Sequence, residues 1–315
     1  MNRMIRKSLA TLLLPAVLLA GCGAGESTRN NGAVGKSKSQ SSTSSLKNIP
    51  TVQASPKQQA QLNQSIAKIT SNPITKDFAI TSSYPYVITG DLTQSEVEHW
   101  KSRIQRTQSA VKSMYFPREP AEVVQVWLFK DAASYFRYNK LLWNITPFTG
   151  FGYYIPKQKR MMMNIASGGG TLTHELVHPY IEANFPQSPL WFNEGLASLY
   201  EQSFYRGGKV YGTTNWRLGG LQAVIKANAM PSLEQMMKTN RVQFLGANRG
   251  VYYAQARYLM YYLQSKGLLE KYYHQFVANV ATDPTGINTL LAVTRISSLE
   301  SLEKDWVRFV RRLRF

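Results

Sequence analysis

The sequence predicts an α+β fold, with a small mixed sheet packed beside one motif-bearing helix and a mainly α-helical lobe after it. Three observations point there. Strand-like stretches are confined to the first half of the chain, around 84–89, 122–129 and 161–166. From Trp191 onward apolar residues recur at helical spacing, over about 216–227, 232–238, 252–265, 268–280 and 299–313. No repeat of fixed period runs along the chain, which argues against a solenoid or a propeller.

Taken in order, the chain opens like a secreted protein. Arg3, Arg6 and Lys7 precede an apolar run from Leu9 to Leu19 that is short for a membrane span, and Leu19-Ala20-Gly21-Cys22 resembles a bacterial lipobox. The expectation is a lipoprotein signal peptide over 1–21 and a lipid on Cys22. The mature protein would then sit outside the cytoplasm, in the bacterial cell envelope, membrane-attached through that lipid. Cys22 is the only cysteine, so the rest of the chain has no internal disulfide, thiol nucleophile or zinc thiolate. Residues 22–57 are dominated by Ser, Asn, Gly, Gln and Lys and read as a tether, because such a stretch buries too little apolar surface to fold. Its Gly35-Lys36-Ser37 is not a phosphate loop, since Asn30 stands where the first glycine of that motif belongs.

Residues 58–315 suffice for one compact domain, read as an α+β lobe over 58–188 and a helical lobe over 189–315. A strand at 84–89 precedes a helix at 93–114 that Thr93-x-x-Glu96 opens as a capping box. A strand at 122–129 follows, and Asp131 is placed to cap a short helix through Leu142. Two more strand candidates come next, the second at 161–166. Gly168-Gly169-Gly170 then lets the chain turn sharply into the next helix.

That helix carries the chemistry. Two of the four histidines fall in the run His174-Glu175-Leu176-Val177-His178. Residues four apart share a helix face, so both imidazoles can aim at one zinc ion, with Glu175 one step round the helix as general base. Leu172, Leu176 and Val177 beside them argue for a buried helix. Catalytic zinc commonly takes three protein ligands and keeps one open position. The helix runs to about Ala183, a polar turn with two prolines spans 184–189, and a second helix from about Leu190 brings Glu194 back beside the histidines as third ligand. Gly195 next to it reads as leaving room at the metal. Pro179 lacks the N–H that would bond the Glu175 carbonyl, so the first helix is expected to kink there.

His174-Glu175-x-x-His178 with Asn193-Glu194-Gly195-Leu196-Ala197 downstream resembles the gluzincin metallopeptidases, the group of thermolysin and the aminopeptidase N family. The layout is similar to small bacterial proteins of the peptidase-MA-like type. In that alignment Tyr253-Ala254-Gln255-Ala256-Arg257-Tyr258 resembles the helix whose opening tyrosine donates a hydrogen bond to the tetrahedral intermediate. The resemblance assigns this role to Tyr253, with Tyr252 its nearest competitor; simple helix packing is the other reading of both. It also implies that the strand before the zinc helix, 161–166, is the sheet edge that holds extended peptide, against the plainer reading of an ordinary core strand. Related enzymes use a downstream histidine, but His274 reads better as an exposed or helix-packing residue. One departure matters: the upstream glutamate that binds a free amino terminus has no counterpart, because no acidic residue lies between Asp131 and Glu175.

The function expected is a lipid-anchored zinc peptidase, an endopeptidase acting on peptide or protein substrates with one Zn2+, Glu175 as base and Tyr253 as oxyanion donor. The alternative is a catalytically silent envelope binding or assembly lipoprotein on the same scaffold. The net charge of +19 reads either as attraction to anionic lipid or wall polymer, or as a solvated face. No motif supports nucleic-acid binding.

Overall fold

The computed structural model describes residues 54–315, so the signal-like segment, Cys22 and nearly all of the 22–57 stretch lie outside the described residues. Helix α1 (Pro56–Thr70) starts with proline in its first turn and a capping box between Ser55 and Gln58. Order therefore begins before Lys57, where the tether was expected to end. This helix escapes a composition reading because it is rich in Gln, Asn and Lys. Only Leu62, Ile66 and Ile69, at i, i+4 and i+7, anchor it.

Strands β1 (Ala79–Ser83) and β2 (Tyr86–Gly90) lead to α2 (Gln94–Met114), which Thr93 and Glu96 cap as expected. Next come β3 (Val124–Phe129), α3 (Ala132–Trp143) with Asp131 as its cap, β4 (Gly152–Ile155) and β5 (Arg160–Asn164). The sheet order is β1-β2-β3-β5-β4. The central strands β2, β3 and β5 are parallel, and β1 and β4 run antiparallel at the edges. Of the two readings of the strand around 161–166, the ordinary core strand holds: it is interior and paired on both sides, and the edge beside the motif helix is β4. Met161-Met162-Met163 is buried on both faces, as an interior strand requires.

Alternation along the strands divides the packing in two. Ile88, Val126, Leu128, Tyr154, Met161 and Met163 face the main core, and Val87, Trp127, Phe129, Tyr153 and Met162 face a smaller one under α1 and α3. The main core is covered by α2, α4 (Gly170–Asn184) and α5 (Leu190–Leu199). Pro179 lies inside α4, and the helix nevertheless continues to Asn184. A hairpin of β6 (Ser203–Arg206) and β7 (Lys209–Gly212) follows α5. Then come α6 (Arg217–Lys226), α7 (Leu233–Met237), α8 (Arg241–Phe244), α9 (Arg249–Ser265), α10 (Leu269–Asn279), α11 (Ile287–Thr294) and α12 (Leu299–Arg312). The molecule is thus α+β with a mainly helical second part. The hairpin, α8 and α11 were not legible, being four to eight residues long and weakly patterned. Among the described residues no helix is long and apolar enough to cross a membrane.

The α5–α9 contact is the most intimate in the fold. A Cβ on Gly195 would stand 3.0–3.1 Å from the carbonyl and Cβ of Ala256. Gly195 therefore serves the approach of α9, and does not make room at the metal as the sequence suggested. Gly195→Val is expected to destabilise the fold by about 1–3 kcal/mol through overpacking, measured as a lowered urea midpoint; an unchanged midpoint would mean that the two helices are not this close.

Candidate metal centre

The turn into α4 depends on Gly168, whose φ of +95° suits glycine. From there Leu172, Leu176, Val177, Tyr180 and Ile181 pin α4 into the core. That packing holds His174, Glu175 and His178 in a site from which water is nearly excluded, at 6%, 3% and 4% exposure. Helix α5 packs against α4 and presents Glu194, only 1% exposed.

His174, His178 and Glu194 each bring a ligand-type atom within 4.8 Å of the others. His174 Nε2 stands 3.3 Å from Glu194 Oε2. Zinc bonds of about 2.0–2.1 Å in a tetrahedron separate ligand atoms by roughly 3.3 Å, so this pair already has the spacing such an ion needs. His178 Nε2, Glu194 Oε2 and Glu175 Oε2 are buried without a hydrogen-bond partner among the described residues. Buried polar atoms are rarely left so. A cation answers His178 Nε2 and Glu194 Oε2 together with His174 and leaves Glu175 beside it, and two imidazoles with a carboxylate form a donor set suited to zinc.

Each histidine is held from behind. His178 Nδ1 lies 2.7 Å from Asn193 Oδ1, which as acceptor fixes the proton on Nδ1 and leaves Nε2 facing the centre. His174 Nδ1 lies 3.3 Å from Glu201 Oε1, a contact just short of a well-formed hydrogen bond. Arg217 grips Glu201 through Nε at 3.1 Å and Nη2 at 2.8 Å, and Asn215 Nδ2 donates to it at 3.0 Å. Burial alone would raise the Glu201 carboxyl, but Arg217 and His174 hold it down to about 2. Burial likewise works against a charged His174, yet Glu194, Glu201 and Glu175 outweigh it and push the imidazole up to about 10. Glu194 is lowered despite burial, by His174, His178 and Tyr253. Glu175 goes the other way: burial and the Glu194 charge raise it, against the pull of both histidines and the Tyr154 backbone.

Tyr253 sits on α9 with its hydroxyl beside Glu194, and its own pKa is pushed up by burial and by that carboxylate. The Arg217 guanidinium covers its ring at 5.3 Å. Tyr252 instead stacks on Phe244 at 5.8 Å, a packing role. His274 is exposed and 3.2 Å from the Met114 carbonyl, so it does not join the site. At the sheet edge, Asn164 N–H donates to the Phe151 carbonyl at 2.8 Å, and the antiparallel register then pairs Tyr153 with Met162 and Ile155 with Arg160. The backbone groups of Gly152 and Tyr154 therefore point away from β5, and the Tyr154 N–H donates to the Glu175 carboxylate.

No protein-family model matches this chain, and no curated protein does. The functional reading rests on the geometry and on the motif.

Glu201, Asn215 and Arg217 were not singled out from the sequence. The signal available for Glu201 was its position seven residues past Glu194, two helical turns along the same side. Nothing local marks Arg217, which is brought in by the β6–β7 hairpin.

Two outcomes are expected here. Glu201→Gln and Asn193→Ala should each weaken zinc binding about 10–100-fold with an unchanged circular dichroism spectrum, read by competition with a fluorescent chelator. Glu194, Glu201 and Glu175 favour the charged form of His174, and an imidazole must lose that proton to bind a cation, so calorimetry in buffers of different ionisation enthalpy is expected to show about one proton released per zinc.

Proposed function

We propose that this chain is a zinc-dependent peptidase of the gluzincin type, an endopeptidase held at a bacterial envelope membrane through Cys22. The observation that carries it is the convergence of His174, His178 and Glu194 ligand atoms within 4.8 Å of one another, with His178 Nε2 and Glu194 Oε2 buried and without a hydrogen bond among the described residues. His174, His178 and Glu194 would hold one zinc ion, and what it supplies there is a Lewis acid that polarises the scissile carbonyl and brings the pKa of a water to about 7.

The chain's own residues do the rest. Glu175 Oε2 accepts the proton of the attacking water and returns it to the nitrogen of the leaving amine. Its low exposure keeps bulk water from competing for that proton. The Tyr253 hydroxyl donates to the oxygen on which negative charge develops. Gly152, and the carbonyl of Tyr154, offer outward backbone groups to an extended peptide, which binds by strand addition with little demand on its sequence.

The preference for internal bonds follows from charge. A substrate's free ammonium needs a carboxylate partner once buried, and no acidic side chain is available along 132–174. Glu201, the nearest spare carboxylate, is already engaged by Arg217.

The test uses the full chain, with zinc measured by mass spectrometry and hydrolysis followed on an unstructured protein such as casein. Glu175→Gln is expected to keep its zinc and lose about 10²–10⁴-fold in rate. Tyr253→Phe should keep its zinc and lose about 10²–10³-fold, while Tyr252→Phe stays near wild type. Stoichiometric zinc without hydrolysis by the unmodified chain would overturn the peptidase assignment and leave a silent metal-binding scaffold.

A further inference from the structure

Helix α3 has two apolar faces, and only one of them is covered. Its inner face, with Tyr135, Tyr138, Leu142 and Trp143, packs under the sheet. Its outer face exposes Ala132, Ala133, Phe136, Arg137, Lys140 and Leu141, at i, i+1, i+4, i+5, i+8 and i+9. Phe136 is 41% exposed and Leu141 52% exposed. A helix on a water-facing surface ordinarily turns a polar side outward. Here large apolar residues alternate with cations, and α3 contains no acidic residue.

The surroundings extend the pattern. Residues 54–78 and 130–150, which form α1, α3 and their flanking loops, carry Lys57, Lys68, Lys76, Lys130, Arg137 and Lys140 against only Asp77 and Asp131. Asp131 is engaged in capping α3, accepting from Ser134 N at 2.8 Å. Among the described residues none of the six cations makes an ion pair. Ile74, 40% exposed, adds an apolar residue to the same layer. The described chain enters this layer directly, since Ala54 packs in the same small core and α1 starts two residues later. Any attachment through Cys22 therefore reaches the fold on this side.

We propose that the outer face of α3, with the flanking lysines of α1, docks on an anionic phospholipid surface, Phe136 and Leu141 entering the headgroup region. This deepens the membrane-tethered part of the proposed function and is independent of the zinc chemistry. The apolar residues select the occupant: a soluble polyanion uses the cations and leaves Phe136 and Leu141 in water, whereas a bilayer interface takes both. The geometry has a consequence for substrates. Helices α3 and α4 lie on opposite faces of the sheet. With each layer about 10 Å thick, docking would hold the metal site roughly 20 Å above the headgroups, within reach of polypeptides that extend from the surface and away from the bilayer interior.

The experiment places an environment-sensitive nitrobenzoxadiazole label on the full chain. The background is Cys22→Ala, so that the only thiol is the one introduced at Leu141→Cys or, as control, at Val242→Cys, 81% exposed on α8. Both are mixed with phosphatidylglycerol–phosphatidylcholine vesicles and with phosphatidylcholine vesicles, with flotation recorded alongside. Expected is a blue shift at position 141 on the anionic vesicles and quenching there by brominated acyl chains, with neither at position 242. Arg137→Glu with Lys140→Glu should weaken the anionic-vesicle response roughly tenfold or more. A label at 141 that stays in water on anionic vesicles overturns the proposal, whether or not the protein floats. So does an equal shift at 242 or on neutral vesicles, or a response to heparin in place of vesicles. None of these readings depends on zinc or Glu175, so failure here leaves the peptidase assignment standing, and the converse also holds.

Discussion

Three carboxylates, Glu175, Glu194 and Glu201, are buried within contact distance of the same two imidazoles, and the rest of the structure answers to that concentration of charge. Buried carboxylates are tolerated only with cationic or hydrogen-bonding partners. Arg217 neutralises Glu201, and His174 is drawn into its charged form between Glu194 and Glu201. Glu175 is held more loosely, by the Tyr154 backbone and by His178 at 3.8 Å, and its Oε2 has no hydrogen-bond partner among the described residues. A cluster built for folding alone would have no reason to leave an acid in that state. One built to take up a divalent cation and to move a proton needs it.

The motif and its close neighbourhood were legible in the sequence because their chemistry is local. His174, Glu175 and His178 share one helix, Glu194 returns on the next, and the capping residues Thr93 and Asp131 act within three positions of themselves. What was missed depends on contacts distant along the chain. Whether the strand at 160–164 lies inside the sheet or at its edge is decided by β4, and no local pattern states that order. Gly195 looked like space beside a metal ligand, whereas its neighbour proved to be Ala256 on a helix some sixty residues away. Helix α1 has no clear pattern of its own because three apolar residues suffice to seat it when a sheet face is waiting to receive them, and only its first two residues fall within the expected tether.

The sheet separates two tasks. Toward one side it presents the face on which α4 is seated, and its edge strand β4 reaches Glu175 through the Tyr154 backbone. Toward the other it supports α1 and α3, whose outward surface has little negative charge to balance its lysines and arginines. The proposed catalysis and the proposed attachment would then vary independently, since each uses its own set of side chains and the sheet lies between them.

Arg257 bears on how the molecule would come apart. Fully buried on α9, it donates to the carbonyls of Ser198 and Leu199 at the end of α5 and to the carbonyl of Thr213 just past the hairpin. It thereby fastens both ends of the excursion that delivers Glu201 and Arg217 to the back of His174. The helices after residue 249 are thus not an appendage to a self-sufficient catalytic core. The backing of His174 and the α5–α9 packing form one cooperative unit, and a protein clipped within α9 would lose the orientation of its first histidine along with that helix.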